Sequence, residues 1–368
     1  MATTPLQQLQ ELGQSVWIDF LSRTFIRGGD LAALIEQGIV GATSNPTIFQ
    51  GAIGEGEAYD DQIRELVAAG TTEPKEIFLQ LARDDIRDAC ELFRPVFEAE
   101  GSKDGWVSLE VDPNLAHDTQ ATIDEAHRLK ELVGRPNMFV KIPATREGIP
   151  AIEECIAAGI PINVTLIFSL QRHREVAEAY IRGLRRFIDG GGDPKTVASV
   201  ASFFVSRVDT EADRRLDEIG SHDELKGTLA IANAKLAYVT YQEVFSGPEW
   251  EELEAKGATK QRCLWASTST KNPAYRDVVY VEELVGPDTV NTMPRETVEA
   301  VLDHAEIRET LTEDVDKARE TLKAFEAAGI DYDDVVETLE REGVDKFAKS
   351  FRELFSVLES KRDSLVAA

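Results

Sequence analysis

The chain has 368 residues, with 40 Lys and Arg against 67 Asp and Glu, a formal net charge of −27 at pH 7, and 42% hydrophobic residues. Apolar residues recur along the whole length, which supplies a sizeable core and excludes general disorder, while no apolar run approaches the roughly 18 residues of a membrane span. So negative a surface repels nucleic acid, anionic lipid and phosphorylated metabolites alike, so an anion site must stand out as a local basic pocket. The opening MATTPLQQLQELGQSVW has neither a basic nor an apolar leader region, and no signal peptide is expected. Cys90, Cys155 and Cys263 are widely spaced and odd in number, which points to a reducing, cytoplasmic setting and away from a disulfide framework.

Eight short apolar or β-branched runs follow in chain order: Val16 to Phe20, Ile39 to Thr43, Val107 to Val111, Met138 to Ile142, Ile162 to Phe168, Thr196 to Val205, Arg262 to Ala266, and Thr289 to Met293. Helical patterns separate nearly all of them, for example DLAALIEQG before the second and NLAHDTQATIDEAHRLKELVG before the fourth. Such alternation predicts an α/β fold with a parallel sheet, and eight units suit a (β/α)8 TIM barrel. A doubly wound sheet would want a Gly-rich fingerprint after the first strand, where LSRTFIRGG stands instead. Gly38, Gly134, Gly159 and Gly257 each follow a periodic segment and are expected to take positive φ at helix ends. Asn114 is expected to cap the helix before the fourth strand. From Glu306 onward the chain reads as amphipathic helix with breaks near Gly329 and Gly343. The expectation is one domain over 1–368, with 306–368 as added helices packed on the barrel. The acidic pairs Asp60–Asp61, Asp84–Asp85 and Asp333–Asp334 read as solvated faces.

Barrel strands are buried on both sides, so a polar residue in one is costly unless it points into the barrel mouth. Chemistry in such folds gathers at the C-terminal ends of the strands. Asp19, Asn45, Glu110, Lys141, Asn163 with Thr165, Ser202 with Arg207, and Ser267 stand there. Lys141 is set in MFVKIPAT, flanked by Phe139, Val140, Ile142 and Pro143. Burial disfavours an ammonium, and a neutral amine attacks carbonyls to give a Schiff base. A lone strand lysine can instead lift its head into solvent, but the surrounding carboxylates and amides favour the nucleophile. Glu110 in VSLEVD and Asp19 in VWIDF each read either as proton-transfer groups or as strand-end ion pairs. Arg207 in FFVSRVD and Lys271 in WASTSTKNP could form the required basic pocket. Hydroxyls, backbone N–H groups and a cation on the last loops suit a phosphate; a helix-start ion pair and a plain turn are the alternatives. The five histidines show no ligand spacing, so no metal is expected.

The motifs TSNPTIF (43–49), VSLEVD (107–112), FVKIPAT (139–145), INVTLIFS (162–169), ASFFVSRVD (201–209) and WASTSTKNPAY (265–275) together resemble those of the transaldolase family. The resemblance implies a (β/α)8 enzyme of the non-oxidative pentose phosphate pathway. Such an enzyme moves a dihydroxyacetone unit from sedoheptulose 7-phosphate or fructose 6-phosphate to glyceraldehyde 3-phosphate or erythrose 4-phosphate, with no cofactor. It implies Lys141 as the Schiff-base lysine, Glu110 and Thr165 as holders of a catalytic water, and Asp19 as the base in carbon–carbon cleavage. Asn45, Asn163 and Ser202 would bond the dihydroxyacetone hydroxyls, Phe204 would line the site, and Arg207 and Ser267 would bind phosphate. Many members carry a second arginine two residues after the serine matching Ser267; here that position is Ser269, and Lys271 is expected to supply the charge. A related aldolase releasing free dihydroxyacetone and a non-catalytic phosphosugar-binding barrel are the competing functions. Related aldolases are much shorter, and a mere binder has no use for a lysine inside MFVKI. Phosphorylated sugars are the expected partners, without nucleic acid or membrane; homo-oligomerisation is left open by the sequence.

Overall fold

A computed structural model describes residues 3–367. Its parallel strands are β1 (Gln14–Ile18), β2 (Val107–Glu110), β3 (Met138–Pro143), β4 (Ile162–Ile167), β5 (Ser199–Phe204), β6 (Arg262–Ala266) and β7 (Thr289–Met293). They hydrogen-bond in the order β1-β7-β6-β5-β4-β3-β2. The expected second strand, Ile39 to Thr43, lies between the two ends of this sheet but forms no ladder. Ala42 bridges Ile18 on one side and Val107 on the other, with Val40 N donating to Val16 O at 2.9 Å and Ala42 N to Trp106 O at 2.9 Å. Gly41 explains the shortness: a Cβ there would stand 2.6 Å from the Trp17 indole, and glycine is a poor strand former. The ring of eight segments is therefore an α/β barrel closed by a narrow seam.

Other boundaries move for local reasons. Pro194–Thr196 is a 3-10 turn capped by the Asp193 side chain, so β5 starts only at Ser199. The β4–β5 register shifts between Val164 and Ile167, where Leu166 has φ 58°. Asn114 is not the expected helix cap: Asp118 caps Thr119–Val133, and Asn114 sits in a turn capped by Asp112. Gly38, Gly134, Gly159 and Gly257 all have positive φ, as expected. Asp85 is not solvated: it is 1% exposed, paired with Arg23 at 2.8 Å and bonded by Tyr59 Oη at 2.8 Å.

The barrel interior is aromatic toward its floor. Phe139 stacks on Trp106 at 4.1 Å and lies 6.1 Å from Trp17. Aromatic rings of this size remove about 150–250 Å² each from water, worth roughly 4–6 kcal/mol apiece at about 25 cal/mol/Å². Beneath them Arg262 pairs with Asp104 at 3.0 Å and donates to Ser15 Oγ at 2.8 Å, which satisfies the polar groups where the strands begin. The last helix, Tyr332–Ala367, crosses the opposite end against the helix Pro46–Gly54. Ser350 Oγ meets Thr47 Oγ1 at 2.8 Å, Gln50 Nε2 donates to Glu353 at 3.0 Å, and Lys361 pairs with Asp60 at 2.8 Å. Gly343 does not break this helix. A Cβ there would stand 3.0 Å from Leu166 Cδ2, so the glycine is a packing position against the irregular end of β4.

Candidate active site

The strands end in a cavity of about 290 Å³ whose lining includes Asp19, Asn45, Lys141, Thr165, Ser202, Phe204, Arg207, Ser267 and Lys271. Nine of the eleven residues expected there line this one cavity; the other two, Glu110 and Asn163, are buried in the strands beside Lys141 without reaching the lining. Strand register explains the arrangement: Glu110 pairs with Lys141 across β2–β3, and Lys141 pairs with Asn163 across β3–β4, forming one inward row.

Lys141 is 4% exposed, and its Nζ donates to Ser44 O at 3.1 Å. Glu110 Oε2 lies 3.2 Å from Nζ. That distance makes an ion pair, but its angle leaves both Glu110 oxygens without a hydrogen bond. Thr165 Oγ1 is likewise buried and unpartnered. Burial pushes the Glu110 carboxyl above its usual range, opposed by the Lys141 charge. Asp19 sits just past β1, half-buried, and accepts from Thr43 Oγ1 at 2.6 Å. Its carboxyl is also raised by desolvation, against the pull of Lys141, the Thr43 hydrogen bond, Arg207 and Lys271. Two carboxyls that bind protons more readily than usual flank one amine.

Asn163 is committed below the cavity floor: Ser202 Oγ donates to its Oδ1 at 2.7 Å, and its Nδ2 donates to Ser108 Oγ at 3.0 Å. Ser202 is the member of this pair that reaches the cavity. Asn45 accepts from Ile48 N at 3.0 Å as the cap of Pro46–Gly54, which fixes its side chain at the rim.

Phe204 and Arg207 form a cationic wall, with the guanidinium 4.9 Å over the ring. Desolvation lowers the Arg207 pKa, opposed by Asp19 and Glu110. Ser267 takes φ 56° after β6, and its Oγ meets Ser206 Oγ at 2.9 Å beside Arg207. Lys271 is exposed and donates to Ser269 Oγ at 2.7 Å. Two latches hold this loop region to the helix Ser206–Ile219: Tyr275 Oη donates to Asp213, and Tyr280 Oη to Asp209 at 2.7 Å. Thr43, Thr47, Ile48, Ala266, Ser269, Thr292, Pro294, Glu296, Lys346 and Phe347 complete the lining. Thr43 opens the quoted TSNPTIF motif, whereas nothing in the charged C-terminal pattern singles out Lys346 or Phe347. Phe347 roofs the site, 5.7 Å from Lys141 Nζ and 5.9 Å from the Arg207 guanidinium. Among the described residues no group of His, Cys, Asp and Glu is arranged to hold a metal ion, and no helix is long and apolar enough to cross a membrane.

An amine in a dry wall, two proton-hungry carboxyls and a bank of cations at one end can bind a phosphorylated carbonyl compound and form an imine with it. The Transaldolase/Fructose-6-phosphate aldolase family model matches residues 16–358. The chain is 54% identical over 355 residues to a transaldolase of Acidothermus cellulolyticus, covering 96% of this chain and 95% of that protein. It is 53% identical over 355 residues to a transaldolase of Thermobifida fusca (95% and 96% covered), and 51% identical over 367 residues to transaldolase 2 of Streptomyces avermitilis (99% and 98% covered). The chain belongs to the transaldolase/fructose-6-phosphate aldolase family.

Proposed function

We propose that this chain is a transaldolase that carries a dihydroxyacetone unit from a ketose phosphate to an aldose phosphate on Lys141. The observation that carries the reading is a lysine 4% exposed, in the wall of a cavity edged by cations, 3.2 Å from a buried carboxylate. Relatives spanning nearly the whole chain, transaldolases at about half identity, support the transferase class. Sedoheptulose 7-phosphate or fructose 6-phosphate is the donor on this reading, and glyceraldehyde 3-phosphate or erythrose 4-phosphate the acceptor. The setting is the cytoplasm, in accord with three free, buried cysteines.

The Lys141 amine, as free base, attacks the ketose C2 carbonyl to give a carbinolamine. Loss of water from C2 leaves an iminium; the proton that water needs comes from Glu110 through a water shared with Thr165 Oγ1. Both side chains are buried and short of partners, as holders of such a water would be. Asp19 takes the C4 hydroxyl proton, the C3–C4 bonding pair moves into the iminium, and an aldose leaves behind an enamine on Lys141. Asn45 and Ser202 orient the dihydroxyacetone hydroxyls, with Asn163 aligning Ser202 from below. Arg207, Ser267 and Lys271 bind the phosphate. A second aldose phosphate then reverses the steps. Phe347 and the last helix limit water above the enamine, which favours transfer over hydrolysis. The helices after residue 306 are part of the same domain on this reading, since Leu339, Phe347, Phe351 and Leu354 are buried in the main core.

Borohydride reduction in the presence of fructose 6-phosphate tests the reading. A single dihydroxyacetone-derived mass increment on the Lys141 peptide is expected, and Lys141→Ala should lose both the adduct and transfer. A fully active alanine variant refutes it.

A further inference from the structure

We propose that Lys346, brought in by the C-terminal helix, is a third cation for the substrate phosphate, and that this helix thereby takes part in selecting phosphorylated over unphosphorylated sugars. The inference rests on the reading of Lys141 above. Arg207, Lys271 and Lys346 line one cavity, and none of them forms an ion pair among the described residues. Lys271 touches only the Ser269 hydroxyl, and Arg207 lies over the rings of Phe204 and Phe347. In a chain of net charge −27, these three cations share the cavity with the carboxylates of Asp19 and Glu296, and neither carboxylate pairs with them among the described residues. Their mutual repulsion registers on Lys346, whose ammonium is held below its usual range first by the Arg207 charge, then by burial and by Lys271. A phosphate monoester, carrying about −1.5 to −2 charges at pH 7, turns that repulsion into attraction.

The loop after β6 sharpens the need. Lys271 is the cation this loop brings to the cavity, and it offers only a point charge. A further point charge from the C-terminal helix gives a grip from a second side. The helix is fixed for the task by Ser350 on Thr47 and Glu353 on Gln50, and Phe347 next in sequence is packed into the roof. Lys346 and Lys349 are both exposed, but Lys349 lies outside the cavity lining and is turned to Glu353 at 3.9 Å.

The test compares the full-length protein with Lys346→Ala, Lys346→Arg and Lys349→Ala. For Lys346→Ala the ratio of kcat/KM for fructose 6-phosphate to that for fructose should fall about tenfold, through KM, the range of one charge-assisted contact. Lys346→Arg should recover most of the loss, and Lys349→Ala should match wild type. Calorimetric titration with inorganic phosphate should show the same tenfold weakening for Lys346→Ala. An unchanged ratio and unchanged phosphate affinity in Lys346→Ala overturn the proposal. Should wild type form no borohydride adduct, the reading of Lys141 falls instead, and phosphate titration still decides the role of Lys346.

Discussion

Replacing Asp19 by Asn separates iminium formation from bond cleavage. The amide oxygen can still accept from Thr43 Oγ1, which now donates to Asp19 Oδ1 at 2.6 Å, so the shape of the site is kept while its base is lost. A positioned general base contributes about 10²–10⁴-fold, so kcat for transfer from fructose 6-phosphate to erythrose 4-phosphate should drop by that factor, about 2.7–5.4 kcal/mol in the barrier at about 1.36 kcal/mol per decade. Lys141 is untouched, and the donor adduct should build up to near full occupancy, read by intact mass after borohydride. In wild type the acid limb of kcat/KM should lie above the ordinary carboxylate range, because desolvation raises the Asp19 pKa from 3.8; below that limb the carboxyl is protonated and cannot accept. The limb should vanish in Asp19→Asn. The sign for stability is the reverse of an ordinary ion pair. A raised folded-state pKa means that the folded protein binds the proton more tightly, so stability falls as pH rises from 3.8 through the raised value. Neutral Asn removes that cost, and Tm at neutral pH should hold or rise. A kcat within threefold of wild type, or a loss of adduct along with activity at unchanged Tm, refutes the assignment.

Lys271→Ala should raise KM for phosphorylated donors with a smaller change in kcat, measured under steady state; an unchanged KM removes Lys271 from the phosphate site. Asp209 is buried and bonded by Tyr280 and Ala230 N, and burial pushes its carboxyl up to about 7 from 3.8. Its folded-state pKa being raised, its contribution to stability is greatest below 3.8 and is lost as pH climbs to about 7. Asp209→Asn should therefore flatten the Tm profile between about pH 4 and 7, read by calorimetry in matched buffers. A slope equal to that of wild type contradicts the burial argument.

The sequence displays what depends on near neighbours. Lys141 among Phe139, Val140, Ile142 and Pro143 is already improbable in a buried strand, and the polar residues at the other strand ends gain meaning from the same rule. Gly38 and Gly134 disclose helix ends because positive φ is a local demand. What stays hidden depends on partners far along the chain. Asp85 reads as half of a surface pair because Arg23 and Tyr59, which bury it, lie 62 and 26 residues away. Asn163 reads as a ligand group because nothing nearby shows that Ser108 and Ser202 occupy both ends of its amide. The seam at Gly41 reads as a strand because Trp17, the group that needs the missing side chain, belongs to another element. Lys346 and Phe347 are two more positions on a charged helix until that helix is laid across the barrel mouth.

Gly343 stands one helical turn before Phe347 and leans on Leu166 at the irregular end of β4. An alanine there would ask the Leu166 side chain to give by a few tenths of an ångström, so the fit of the roof over the reacting carbons depends in part on a residue outside the cavity lining.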